Sequence, residues 1–439
     1  MKTKLLSLLA VSAFIFGHAV SAAETIESTD SRLSKIEDRL QEIEIQKLLN
    51  KFSFSGVFIN RYEAYKTEYG LPATVASKDE LKLYSTSFAL NVDVNVSQKI
   101  KFYSTLAMSK FWNNDGRKEA PGYWSASEAG SSVYGGSAPM FDRAYMSYKF
   151  DFPLTFAVGR MPTNNGLPIN QMDGLSRQGT YPRLAFNAIF DGIALVYDFS
   201  DLLPKDHNLS VRAFYTPYMN VSAIDRTRQL TDSGNKVDSN TPMYSLLTEY
   251  SVSNLSWASK INFTHMLNDY RSFYWDGFNN PNDHTILNPN NPHYEGGFNM
   301  GYVGIEDIAH AGLNVSASGL FYWSKNLDVV GATNQYSTAY LFAANQQIGD
   351  QWIIGGEYIK TDENFYLDEW TYLNINPFYK TPNSKGTHLF VSKNLVQNLV
   401  ARLGYYHLTA EPCGPASANP FSVNEVKSDS YYVNLRLDF

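Results

Sequence analysis

The chain has 439 residues, 36 basic and 43 acidic, and a formal net charge of −7. Only 18% of residues are charged and 15% are aromatic, mostly Tyr and Phe, where a soluble domain carries about 25% charge. This aromatic content excludes a disordered chain, the acidic balance excludes a basic nucleic-acid binder, and the single cysteine, Cys413, excludes a disulfide framework.

The first 23 residues read as a secretory signal peptide. Lys2 and Lys4 form a positive start, residues 5–17 are mostly apolar, and Val20, Ser21, Ala22 and Ala23 offer small residues for cleavage. Cleavage would move the formal charge from −7 to −9. No cysteine stands at the cleavage point, which argues against a lipid anchor. Beyond residue 23, no apolar stretch approaches the ~18 residues of a transmembrane helix. Two classes remain, a large secreted β protein and an outer-membrane β-barrel.

Residues 24–51 are polar and rich in helix formers. Ile26, Leu33 and Leu40 recur every seven residues, and Ile36 and Ile43 fall three places after the two leucines. That is a coiled-coil seam with Leu at a and Ile at d, which favours trimers or tetramers over dimers. As a helix the segment would reach roughly 42 Å. A single amphipathic helix packed on its own domain is the other reading of the pattern.

From residue 51 the period changes to two. The clearest strand is the last, where Tyr431, Val433, Leu435, Leu437 and Phe439 alternate with Tyr432, Asn434, Arg436 and Asp438. A transmembrane barrel strand needs about 10 residues with one lipid face and one lumen face. A terminal aromatic behind alternating apolar residues resembles the C-terminal signal that outer-membrane barrels present to their assembly machinery. Residues 88–96, 100–112, 144–150 and 154–160 repeat the alternation as hairpins, and similar pairs continue through 192–218, 244–266, 298–324, 337–361 and 386–409.

The pattern predicts an all-β, transmembrane antiparallel barrel over residues 52–439. It has about 16 strands, and fourteen or eighteen stay open. Short turns alternate with longer Gly-, Pro-, Asn- and Asp-rich connections, the first at 66–80 and the third at 162–189. An even strand number with short periplasmic turns and long external loops is the outer-membrane pattern. A barrel of 16 to 18 strands encloses an aqueous lumen. Asn91, Asp93, Asn95, Arg143, Ser147, Lys149, Asn434 and Arg436 fall at lumen-facing positions of the alternation.

The stretch 141–193 carries further punctuation. It contains Asp142-Arg143-Ala144-Tyr145, Gly159-Arg160 with Pro162, Gly166 with Pro168, Gly179-Thr180-Tyr181-Pro182, and Phe190-Asp191-Gly192-Ile193. It resembles a family of uncharacterised proteobacterial outer-membrane porin-like proteins with an N-terminal coiled coil. Family members have Gln after the Gly-Arg pair and Lys before the Gly-Thr-Tyr. Here Met161 and Gln178 stand there, so the resemblance implies fold and location rather than cargo. In general diffusion porins the third long loop narrows the lumen, and by analogy residues 162–189 are a constriction loop. Asp173, Arg177 and Arg183 from that loop, with Arg143 and Arg160 from its flanking strands, are the candidate solute-contacting residues. A role for Arg143 and Arg160 as ion-pair anchors to Asp142 or Asp191 stands beside this one.

Nothing in the sequence points to an enzyme. Histidines 207, 265, 284, 293, 310, 388 and 407 form no metal-ligand spacing, and neither HExxH nor GxSxG occurs. Asp362, Glu363, Asp368 and Glu369 read as a solvated acidic loop. No cofactor, metal or nucleic-acid partner is expected. The sequence predicts an outer-membrane porin of a Gram-negative bacterium, assembled as a homotrimer among outer-membrane lipids, with a periplasmic coiled coil that could reach peptidoglycan. A solute-specific uptake channel and a structural tether between outer membrane and peptidoglycan are the alternatives.

Overall fold

The computed structural model describes residue 39 and residues 51–70, 78–112, 140–161, 163, 166–168, 177, 179, 181–185, 190–217, 242–274, 293–325, 334–363, 365, 381, 383–411 and 425–439. The signal peptide and the coiled-coil seam of Ile26, Leu33, Ile36, Leu40 and Ile43 lie outside the described residues, as does Asp173. Residues Phe52–Phe439 form one compact unit.

Sixteen strands build that unit. They are β1 (Phe52–Gly70), β2 (Lys78–Asn95), β3 (Ile100–Phe111), β4 (Met140–Lys149), β5 (Leu154–Met161), β6 (Phe190–Asp198), β7 (His207–Thr216) and β8 (Met243–Leu255), followed by β9 (Ala258–Tyr274), β10 (His293–Ile308), β11 (Leu313–Lys325), β12 (Asn334–Ile348), β13 (Trp352–Thr361), β14 (Ser384–Val396), β15 (Leu399–Ala410) and β16 (Glu425–Asp438). Each pairs antiparallel with its sequence neighbours, and β1 pairs with β16 to close the barrel. Closure matters because an open edge leaves a row of unpaired N–H and C=O groups.

Phe439 finishes the seam. Its N–H donates to the carbonyl of Gly56 at 3.0 Å, and the Gly56 N–H donates to the Phe439 carbonyl at 2.7 Å. The Phe439 ring stacks near Phe88, 6.1 Å between centroids. A Cβ at Gly56 would stand 2.4 Å from that ring and 2.7 Å from the Ala89 carbonyl, so only glycine fits there.

The two faces of the wall differ as period-two alternation requires. On β16, Tyr431, Val433, Leu435, Leu437 and Phe439 are exposed, while Ser430, Tyr432 and Arg436 are buried. The register carries this outward set around the barrel. Val433 stands opposite Leu403 and Tyr62, Tyr62 opposite Tyr84, and Phe342 opposite Tyr358. These residues are exposed as well. Along these strands the outer face is therefore largely apolar and aromatic, and the opposite parity lines the interior.

β1 and β2 run further than the alternation of apolar residues implies. Residues 66–70 and 78–80 are strand, not loop. Lys66 pairs with Glu80 and Glu68 with Lys78. A strand that outgrows an apolar layer gains nothing from an apolar face, so its hydrophobic period disappears while its ladder continues. The aromatics divide likewise. Tyr62, Tyr84 and Trp112 are exposed on the outside, with Tyr84 and Trp112 6.2 Å apart. Tyr65 is buried on the inner parity of β1.

Candidate functional site

Inside the barrel, the register places Asn91, Asp93 and Asn95 of β2, Arg143, Ser147 and Lys149 of β4, and Asn434 and Arg436 of β16 on the inner parity. Arg143 is held in place by its neighbours. Its Nε donates to Thr105 Oγ1 at 3.1 Å and its Nη2 to Asn91 Oδ1 at 3.3 Å. Asp93 lies 3.6 Å from the same Nη2, and the guanidinium sits 6.0 Å from the Tyr103 ring centre. A guanidinium on a polar wall, with an aromatic beside it, can meet a passing solute's charge or ring face.

The described residues between β5 and β6 pack against this inner wall. Leu167, Tyr181, Leu184 and Ala185 are buried in one apolar cluster with Phe214, Leu247, Met266, Met300, Leu341 and Ile359. Those wall residues come from β7, β8, β9, β10, β12 and β13. The Tyr181 ring meets Phe214 edge-on at 5.9 Å. The segment also pairs with itself, as the Arg183 N–H donates to the Leu167 carbonyl at 2.7 Å. A Cβ at Gly166 would fall 1.6 Å from the Tyr181 carbonyl oxygen, which is why glycine occupies that crossing.

Charge fixes the same segment. Arg177 reaches Glu249 of β8, Nη2 to Oε1 at 2.5 Å, and Arg212 of β7 holds the other oxygen at 2.8 Å. One carboxylate thus clamps two guanidiniums, a geometry stronger than a single exposed pair. Arg177 Nε donates to the Gly179 carbonyl at 2.8 Å. Arg183 is almost fully buried and acts electrostatically on His388 of β14, as does Arg61 of β1.

His388 centres a buried polar network that the sequence does not single out. Its Nδ1–H donates to the Glu357 carboxylate at 2.8 Å, and Tyr432 Oη lies 2.8 Å from Nε2. Tyr406 stacks on the imidazole with centroids 3.9 Å apart. Next to it, Glu63 takes Arg61 Nε at 2.7 Å and Ser430 Oγ at 2.6 Å, and Arg61 lies over the Tyr432 ring at 4.1 Å. Arg402 Nε donates to Ser392 Oγ at 2.7 Å. Buried charges persist where they are paired and hydrogen-bonded. The signal for this network was the inward parity itself, since Arg61 and Glu63 flank the outward Tyr62 on β1.

Arg160 is a correction. It shares the parity of Phe156 and Val158, opposite Ala144 on one side and Asp191 on the other. It therefore lies on the outer face and not in the lumen. Its Nε and Nη2 fork onto the Asp191 carboxylate at 2.9 and 3.0 Å, and Nη1 donates to the Phe141 carbonyl at 2.7 Å. The run Leu154, Phe156, Val158, Arg160 already carries this parity. Asp362 is engaged by Thr338, whose N–H donates to it at 3.0 Å, and Asp368 and Glu369 lie outside the described residues. Among the described residues there is no group of three or more His, Cys, Asp or Glu placed to hold a metal.

A family profile described as "Protein of unknown function (DUF3373)" matches residues 77–229, a span that encloses 141–193. No match was found among curated proteins. Among solved structures, Pseudomonas putida OprB is similar with a TM-score of 0.52 and 14% identity, covering 91% of this chain and 97% of that one. The anion-selective porin of Comamonas acidovorans gives 0.49 at 11% identity, covering 88% and 100%. Salmonella typhi OmpF, in complex with daunomycin, gives 0.47 at 10%, covering 88% and 97%. At these identities the likeness is one of fold, and it rests on the OprB comparison.

Proposed function

We propose that the protein is an outer-membrane porin through which small hydrophilic solutes and ions diffuse without catalysis. One observation carries the reading. A closed barrel of 16 strands has an apolar, exposed outer face and a polar inner face bearing Arg143, Asp93, Lys149 and Arg436. A sheet with that polarity satisfies its backbone in lipid only when closed, and at this strand number the interior is wide enough for water. Arg143 and Arg177, with Asp173, are the residues we assign to the constriction formed by residues 162–189, whereas Arg183, expected from the sequence to contact solute, is almost fully buried and supports the segment from behind. Charged groups at a narrow point set ion preference. Tyr431, Val433, Leu435, Leu437 and Phe439 serve as the strand read by the barrel-assembly machinery. The seam of Ile26, Leu33, Ile36, Leu40 and Ile43 joins three copies in the periplasm, where it could also approach peptidoglycan.

A second reading is favoured by the packing of the interior. The described residues between β5 and β6 pack on the inner wall of β7 to β13, and the His388–Glu357–Tyr432 network is buried on the inner side of β13, β14 and β16. That filling suits a narrow, solute-selective channel. Proteoliposome swelling separates the two. A general porin admits neutral sugars at rates that fall smoothly with size, whereas a selective channel admits one solute class and saturates. Liposomes that fail to swell in any solute, although the barrel is folded, contradict both.

A further inference from the structure

We propose that Tyr103, Tyr145 and Arg143 form a solute subsite on the lumen wall of β3 and β4, and that this subsite takes planar aromatic carboxylates. The proposal deepens the reading of the protein as a solute channel and rests on it.

The first observation is an aromatic pair on a polar wall. The register sets Tyr103 between Asp93 of β2 and Tyr145 of β4, on the parity of Arg143. The two rings stack with centroids 4.8 Å apart and planes 18° apart. Both are only partly buried, whereas the inward rings of Phe214, Phe298, Tyr406 and Tyr432 are buried. Tyr145 also packs against the apolar cluster under the inward segment, which holds the stack in place. Aromatic surface left facing water is a cost that a planar ligand relieves.

The second observation is the space beside the stack. Tyr145 stands opposite Gly159 of β5, and Gly159 opposite Gly192 of β6. Gly159 has φ +122°, and a Cβ there would lie 2.4 Å from the Ala144 carbonyl oxygen and 3.2 Å from Tyr145 Cβ, so only glycine fits. At the level of Tyr145, neither β5 nor β6 therefore puts a side chain into the lumen. Both glycines are partly exposed.

The third observation is which hydrogen-bonding groups remain. Asn91 Oδ1 accepts from Thr105 Oγ1 at 2.7 Å as well as from Arg143, and Asn91 Nδ2 donates to Ser55 Oγ at 3.2 Å. The neutral polar groups next to the stack are thus engaged with one another. Arg143 Nη1 has no hydrogen-bond partner among the described residues, and the side chain is 18% exposed. Arg143 and Lys101 both act on the Asp93 carboxylate, which leaves these three groups with a net positive charge. A cationic donor beside an aromatic surface suits a carboxylate carried on a planar ring better than a neutral sugar.

The test is ion current through the purified full-length protein in planar bilayers, with benzoate, cyclohexanecarboxylate, acetate and glucose as probes. Benzoate is expected to reduce the chloride current saturably. Its half-blocking concentration should lie about fivefold below that of cyclohexanecarboxylate, the gain typical of one aromatic stack. Tyr103→Leu and Tyr145→Leu are each expected to abolish this preference and to keep the block by acetate. Arg143→Gln is expected to weaken block by every carboxylate about threefold, the size of a partly exposed ion pair. Heat-modifiable mobility on gels verifies that each variant is folded, and two tyrosine positions guard against failure of one. Equal block by benzoate, cyclohexanecarboxylate and acetate overturns the proposal, as does a benzoate preference that survives both tyrosine changes. Block by glucose at a lower concentration than benzoate also overturns it, and assigns the stack to a sugar. Calorimetric titration of benzoate into the folded barrel in detergent separates this claim from the channel reading. A conducting barrel without the benzoate preference refutes the subsite and leaves the channel intact. A barrel that never conducts, yet binds benzoate and loses that binding with Tyr145→Leu, does the reverse, and a barrel that does neither refutes both.

Discussion

Parity decides what a charged residue does in this wall. Arg143 and Arg160 are both arginines next to the same long connection, yet one lies on the inner parity and the other is forked onto Asp191 outside. Arg160→Met strands the Asp191 carboxylate on the outer face. Since both groups are partly exposed, the expected loss is modest, about 1 kcal/mol. The double variant Arg160→Met, Asp191→Met is expected to recover most of it, because no lone charge remains. The temperature at which the folded, heat-modifiable gel band is lost reports both. Gly56 makes a sharper case. Gly56→Val drives a side chain into the Phe439 ring and the Ala89 carbonyl, and overpacking of this kind costs about 1–3 kcal/mol. Here it strikes the closing seam, so the yield of folded barrel in a refolding assay is expected to fall. Gly301→Val, at a position with no atom within 4 Å of a built Cβ, is expected to leave that yield unchanged.

At the scale of elements, the sixteen strands were legible because apolar residues alternate wherever the wall has two different environments. Where β1 and β2 rise into charged pairs such as Lys66 with Glu80, the alternation of apolar residues stops, and that part of the ladder was not legible. The inward segment between β5 and β6 was legible only as a Gly- and Pro-punctuated stretch. Its anchors, Glu249 on β8 and Arg212 on β7, stand far away in sequence and carry no local signal. The His388 network was hidden for the same reason, since Glu357, His388 and Tyr432 meet only after β13, β14 and β16 have paired. The clamp at Glu249 yields a prediction. Glu249→Gln releases two guanidiniums from one carboxylate. Single-channel records are expected to become noisier, with a changed mean current, while barrel stability shifts by no more than about 1–2 kcal/mol. An unchanged current trace would separate the clamp from the conduction path. The N-terminal seam makes its own prediction. Removing residues 24–50 is expected to lower the detergent-extracted mass from that of the proposed trimer to that of a monomer, with the barrel still folded, and an unaltered oligomer would exclude a role for the seam in assembly.

For the whole molecule, a closed wall with a largely apolar outside and a polar, partly filled inside has the polarity that the proposed conduit requires. Its selectivity is a matter of which charges remain on the path. With Arg160 paired to Asp191 on the outside, one positive charge leaves the set that the sequence placed at the constriction. Arg143, Arg177, Arg212 and Lys149 face Asp93 and Glu249 on the β2 to β8 side, so the ion preference on this side should lean toward anions and weaken as salt screens it.

Single-channel current across a planar bilayer, recorded with purified, folded, full-length protein, distinguishes an open lumen from a sealed wall. Discrete, ohmic steps on the order of a nanosiemens, grouped in threes, are expected of an aqueous lumen at this strand number. Insertion of demonstrably folded barrels without any current would contradict it and leave the wall as an anchor around a sealed interior.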